Sequence, residues 1–528
     1  MPRRFSSLCR CVRRAILRAV LTLFSAHCIT LERNDSAYMD GCRMPDGARK
    51  ASATWQNNAV TLEMLLVAAI ALTFLDVVKQ GFVGDDWFWL YNAKFTMSHL
   101  SGWESAFGHA NGSGQYRPLT QNVFFWLAFL AFGLYAPAYH IVALVVFSLS
   151  ALILFRIVTH LVKDRALALG AAIFFAVSPL HYGGLSWVSA FSETGAIFCF
   201  ILTLYFVIVK RSWVGYLAYI ACLLSNETAS VVPAVAFLYY KIYERETIVE
   251  STRKTLGYWG IFALYITLRV TVLGLHAAGA FALGDTFGAT FLHVMGAVVH
   301  VIGVAPTSYN VTHANGAEGV AARIVEYFYL GTFAFLMVAI IWRSIRDRVV
   351  RRFVLFGMSV FIVGMLPELT FSQHDWALYN LGIPDVGIAF IVVSLGMDAE
   401  MRNWKRRYVI FVASLFFLFS VVQVWGPGGL NEVQGLNVLG QQMSLLSKHI
   451  SAEIKRSSAH RGPVTLRISG DRNKYTSWMV ASPFWLDVLT GARSGSRVCY
   501  SRTCRADITV HWNSREKRFQ WARENPAA

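Results

Sequence analysis

The run TLEMLLVAAIALTFLDVVK, Thr61 to Lys79, passes directly into QGFVGDDWFWLYNAKF, Gln80 to Phe95. The first half is continuously apolar over nearly the ~20 residues that a helix needs to cross a bilayer, and reads as a span over about 60–78. Its apolar positions do not alternate, so a strand is excluded; in lipid only helices and closed barrels satisfy their backbone groups. The second half places adjacent carboxylates, Asp85 and Asp86, among Phe82, Trp87, Phe88, Trp89 and Tyr91.

Similar apolar runs recur along most of the 528 residues. The chain is 55% hydrophobic, 14% aromatic and only 15% charged, with mean hydropathy +0.46. Soluble domains carry roughly 25% charged residues, so the chain is a polytopic membrane protein. The net charge of +17 sits mostly in short loops between apolar runs, as cytosolic loops require; nucleic-acid binding is excluded on that distribution. The eight cysteines show no metal-ligand spacing. Cys199 and Cys222 read as small core residues, and Cys499 with Cys504 as a disulfide if the tail lies in an oxidising compartment.

The basic loops set the topology. Arg49 and Lys50 precede the first span, which puts Asp85 and Asp86 outside; Arg156, Lys163 and Arg165 mark the next inner loop. Two apolar runs, about 118–134 and 138–157, lie between, so the first is expected to lie along the outer interface behind Arg117 and Pro118. Further spans are expected near 166–180, 194–209, 213–225, 229–241, 256–273, 325–342, 352–368, 383–398 and 408–425, with 289–305 non-crossing. This makes an all-α bundle of about eleven crossings. Residues 1–58 read as a basic cytosolic extension, 59–427 as the membrane domain with its outer loop at 79–137. Residues 428–528 read as a small α/β unit outside, because VTLRISG and ADITVHW alternate as strands do.

On this topology Asp85, Asp86, Glu104, Arg117, His181, Glu193, Glu227, Glu368, His374 and Asp375 share the outer side. Each alone reads as a solvated helix-end charge. Together they suggest a site at the outer membrane boundary, where an acid whose pKa is raised by its neighbour acts as general base. The sequons at Asn111, Asn226 and Asn310 fall on the same side and would be modified in a eukaryotic secretory compartment.

FVGDDWFWL, then YRPLTQNVFFW, SPLHYGGLSWVSAFSE and LSNETASVVPAVAFLYY, resemble in order and spacing the membrane part of GT-C glycosyltransferases. They look closest to the O-mannosyltransferase-like group that carries tetratricopeptide repeats. The resemblance covers about residues 80–240, more loosely to about 390. It implies a juxtamembrane helix after YRPL. It also implies inverting transfer of a sugar from a polyprenyl-phosphate donor to an acceptor hydroxyl, on a protein or a glycan, at the outer face. Asp86 or Asp85 would be the base, with Asp86 preferred. Arg117 would hold the donor phosphate, and His181, Glu193, Glu227, His374 and Trp376 would contact substrate.

The family's RYLYLPS element is reduced to YNLGIPD, Tyr379 to Asp385, and its SKE-T lysine becomes Asn226. One branch of the fold uses a divalent cation and another does not; a single acid pair without a second carboxylate cluster favours no metal. The compact chain without repeats suggests a bacterial inner membrane with a periplasmic site. The alternative is a transporter or flippase of a lipid-linked sugar, which asks for charges at mid-membrane and paired repeats. The topology makes a direct prediction: single cysteines at Ala110 and Lys163 label from opposite sides of intact cells, and labelling of both from one side excludes the orientation.

Overall fold

The structure, a computed structural model, describes residues 46–108, 115–273, 331, 338–369, 381–394, 397, 416–417, 431–456, 464–470, 484–491, 496–499, 506–513 and 518–521. The expected non-crossing run at 289–305, most of the expected spans at 325–342 and 408–425, the residues His374 and Trp376, and the partner Cys504 of the expected Cys499–Cys504 pairing lie outside these residues.

Among the described residues five helices are long and apolar enough to cross a membrane: Val60–Lys79, Ala136–Val162, Val188–Ile208, Ile248–Leu273 and Arg348–Pro367. A sixth is a broken pair, Arg165–Ala176 with Pro179–Ser186, bent by 43°. Pro179 causes the break: it lacks an N–H, and it holds Ser178 extended at ψ 126°, outside the helical region. The expected total of about eleven also draws on spans outside the described residues. The expected spans at 213–225 and 229–241 are the helix Ser212–Leu223 and an unbroken helical stretch in which Glu227–Val231, Val232–Leu238 and Tyr239–Tyr243 follow as 3-10, α and π turns. The run after YRPL forms Pro118–Phe132, one of the shorter apolar helices; at ~1.5 Å per residue it falls short of a ~30 Å hydrocarbon core. The first helix begins at Asp46, inside the stretch read as an extension.

The helices end where sequence chemistry lets them. Asp164 caps its helix by accepting from the Ala166 and Leu167 amides, and Thr247 forms a capping box with Glu250. Lys163, Lys210 and Arg245 turn the chain at φ 59°, 58° and 61°, so three of the basic loops contain left-handed turns. The bundle core is aromatic and aliphatic, with Phe74, Phe147, Phe175, Phe200 and Phe356 fully buried. Leu256, Leu264 and Val272 stand exposed on their helix, as a lipid-facing surface requires.

The described tail contains a four-stranded sheet in the order β2-β1-β3-β4, where β1 is Thr465–Gly470, β2 Arg497–Cys499, β3 Ile508–Asn513 and β4 Arg518–Trp521. The two alternating stretches form β1 and β3, paired in parallel. β2 runs parallel to β1, with the helix Phe484–Thr490 between them in sequence. The inward positions Leu466, Ile468 and Val510 are buried, and this face joins the outer loop rather than the bundle core.

Arg348–Leu369 and Gly382–Val393 pack backbone to backbone through two glycines: a Cβ at Gly357 would lie 2.7 Å from the Gly387 carbonyl oxygen, and one at Gly387 2.6 Å from that of Gly357. Small residues let membrane helices approach this closely. Gly357→Val should lower the thermal midpoint in detergent, since overpacking costs ~1–3 kcal/mol. Gly260→Val, where a Cβ meets nothing within 4 Å, should leave the midpoint unchanged.

Candidate active site

Gly84, at φ 49°, turns the chain so that Asp85 precedes and Asp86 begins a short helix, Asp86–Tyr91. The two acids then diverge. Asp86 is fully buried. Its Oδ2 accepts from the Val83 N–H at 2.9 Å. Its Oδ1 accepts from both the N–H and the hydroxyl of Ser189, each at 2.6 Å. Asp85 is exposed, and desolvation by the protein around it raises its carboxyl above the usual range. Burial pushes Asp86 up to about 7, against the lowering effect of the Ser189 and Val83 hydrogen bonds.

Three of the rings around the pair pack inward. Phe82, Trp87 and Trp89 are buried. Trp87 donates to the Phe82 carbonyl at 3.2 Å, and Phe82 meets Tyr139 edge-on at 5.0 Å. These rings have apolar partners in the tail unit, so burying them there removes more surface from water than an interfacial position would.

Ser189 opens the helical stretch Val188–Ile208, and one turn later the same stretch presents Ser192 and Glu193. There the second half of the site gathers on Arg117. Its Nε lies 2.8 Å from Glu227 Oε2, and its Nη1 donates to Ser192 Oγ at 3.0 Å and lies 3.4 Å from Glu193 Oε1. The Tyr116 N–H donates to Glu227 Oε1 at 2.6 Å, and Asn226 Nδ2 donates to Glu193 Oε1. The YRPL and LSNET loops are joined beside this cluster, Leu119 N–H to the Leu224 carbonyl at 3.0 Å and Thr120 hydroxyl to that of Ser225 at 2.8 Å. Burial pushes the Glu227 carboxyl up, but the Arg117 guanidinium and the Tyr116 amide outweigh it and hold it below the usual range.

Several expectations change here. Arg117 does not stand as a lone cation; two carboxylates already flank it. His181 does not face the outer site, because its Nε2 meets Asp385 Oδ2 at 3.1 Å with both side chains buried, between Phe147 and Phe175, each at 4.6 Å. The contact ties the Pro179–His181 turn to the helix Gly382–Val393. The sequon at Asn226 is no glycan acceptor, since the side chain is fully buried and its amide is engaged. Ser189, Ser192 and Asp385 were missed as partners: serines carry no charge signal, and Asp385 lies two hundred residues from His181 in the sequence. Among the described residues no group of three or more His, Cys, Asp or Glu could hold a metal ion.

No family model matches the chain, and no curated protein matches it. Solved structures do match, among them the crystal structure of ArnT from Cupriavidus metallidurans bound to undecaprenyl phosphate. It has a TM-score of 0.41 and 13% identity, covering 82% of this chain and 89% of that chain. A score of that size fixes neither family nor activity.

The buried Asp86 has a thermodynamic consequence. Its folded pKa of about 7 lies above the ordinary 3.8, so between these values the folded state binds the proton more tightly than the unfolded chain. Stability from this group is present below the lower value and declines as pH rises through the upper one. The thermal midpoint should fall from about pH 5 to about pH 7, and Asp86→Asn should flatten that slope; an unchanged slope places the titration elsewhere.

Proposed function

We infer that this protein is a membrane glycosyltransferase that moves a sugar from a polyprenyl-phosphate donor to an acceptor hydroxyl at the outer face. The observation that carries the reading is the division of labour within the acid pair. One carboxylate is locked to Ser189 and its neighbour is exposed, at the helix start that also holds the Arg117 cluster. The order of the four motifs supports the same chemistry.

Asp85 is the base in this reading, in place of the sequence preference for Asp86. Both oxygens of Asp86 already accept hydrogen bonds, and it has no exposed surface on which to meet a substrate. Asp85 takes the proton of the acceptor hydroxyl as that oxygen attacks the anomeric carbon. The bond from that carbon to the phosphate oxygen breaks, the polyprenyl phosphate leaves with the electron pair, and the configuration inverts. Glu227 fixes the Arg117 guanidinium through the short contact at 2.8 Å, and the longer contact to Glu193 at 3.4 Å is the one a phosphate oxygen would replace. Ser192 and Asn226 keep these partners aligned. The acceptor is a protein or glycan hydroxyl, and the outer face is the periplasm of a bacterial inner membrane.

Transfer of labelled sugar from polyprenyl phosphate in proteoliposomes tests the assignment. Asp85→Asn should lower kcat by ~10²–10⁴-fold, the range of general acid–base catalysis. In the wild type the acid limb of the pH profile should lie above the ordinary carboxylate range, following the raised Asp85. Full activity in Asp85→Asn sinks the base assignment; movement of the lipid-linked sugar across the bilayer without transfer sinks the enzyme.

A further inference from the structure

The acidic turn is not held by the membrane bundle alone. On its N-terminal flank it meets the tail helix Asn431–Arg456 backbone to backbone, with the Gly81 N–H donating to the Gly440 carbonyl at 3.1 Å. Neither glycine leaves room for a side chain. A Cβ at Gly81 would lie 2.9 Å from the Gly440 oxygen and from the Ser444 nitrogen, and one at Gly440 would lie 3.0 Å from Gln80 Cβ. Gln80 Nε2 in turn donates to the Tyr182 hydroxyl at 2.7 Å, so three segments meet at this point.

The C-terminal flank meets the second tail helix. Phe484 packs edge-on against Phe88 with centroids 5.3 Å apart and tilted against Tyr91 at 4.9 Å. Lys94 Nζ donates to the Val488 carbonyl at 2.7 Å. This helix is tied into the sheet, because the Ser496 N–H donates to Asp487 Oδ1 at 3.1 Å and the Val464 N–H to Ser496 Oγ at 3.2 Å. Under the turn, Val83, Trp87 and Leu90 share one buried cluster with Met443, Trp485 and Val488.

We propose that the C-terminal unit is the positioning element of the acidic turn, gripping both flanks so that Asp85 is presented from a fixed backbone. The Asp86–Ser189 contact and the Phe82–Tyr139 ring contact hold the turn from the bundle side. The Gly440 and Phe484 contacts hold its two flanks from the tail side, so the turn is gripped from both. A loop with few packed contacts opens locally at little cost, and a displacement of ~1 Å at a reacting group can cost ~10²-fold in rate. Gly440 and Phe484 are accordingly positioning residues, which rests on the reading of Asp85 as the base.

Amide hydrogen exchange on the full-length protein in nanodiscs tests this without substrate. In Phe484→Ala and in Gly440→Leu the amides of Trp87 to Leu90 should exchange about tenfold faster or more, while those of Phe353 to Val360 keep their rate. In the transfer assay kcat should fall by ~10–10²-fold with the donor KM within about twofold, and Phe484→Tyr should restore both readouts. Unchanged exchange in the turn overturns the proposal, as does faster exchange with an unchanged kcat. Should Gly440→Leu fail to fold, Phe484→Ala decides alone. Failure of the base assignment shows separately, as an active Asp85→Asn with the exchange result intact.

Discussion

A carboxylate taken wholly out of water, Asp86, joins the outer loop to the membrane bundle. Removing a charge from water is costly unless hydrogen bonds replace the lost solvation, and three donors do so here: the Val83 amide, the Ser189 amide and the Ser189 hydroxyl. Two of the three belong to the start of the Val188–Ile208 stretch. The loop therefore takes its position from a membrane-spanning helix, and the neighbouring Asp85 is left facing outward on a backbone that Asp86 has fixed. Placed differently, Asp86 would be an uncompensated buried charge, which is why the arrangement constrains everything around it.

From that junction the remaining chemistry follows by helical spacing. Ser192 and Glu193 lie one turn beyond Ser189, and both reach Arg117. Glu227 arrives from a separate turn whose Asn226 also binds Glu193. A guanidinium has a fixed planar fork, so two carboxylates and a hydroxyl around it set its orientation as well as its charge. The Asp85–Arg117 loop, the start of one candidate span and the LSNET turn thereby become a single polar assembly. Its apolar underside is completed by the tail unit, whose Trp485, Leu486 and Val488 bury the rings that flank the acid pair.

Composition and loop charge were enough to define a polytopic helical protein, because lipid offers the backbone no hydrogen bonds and leaves helix as the form for a continuous apolar run. The alternation in VTLRISG and ADITVHW likewise marked two strands of the tail sheet. Span length was less legible. Hydropathy does not register where Pro179 breaks a run, nor where the run near 229–241 passes from 3-10 through α to π turns.

The residues of the site were largely legible as types and not as partners. Asp85, Asp86, Arg117, Glu193 and Glu227 are recognisable in sequence because charge next to a span is unusual. Which acid is buried, that Arg117 is shared between two glutamates, and that His181 turns inward to Asp385 were decided by the tertiary structure. Each of these depends on which distant segment supplies the hydrogen-bond donor or the covering ring. Burial and pairing of polar groups are properties of the packed whole, and a linear pattern of residue types does not contain them.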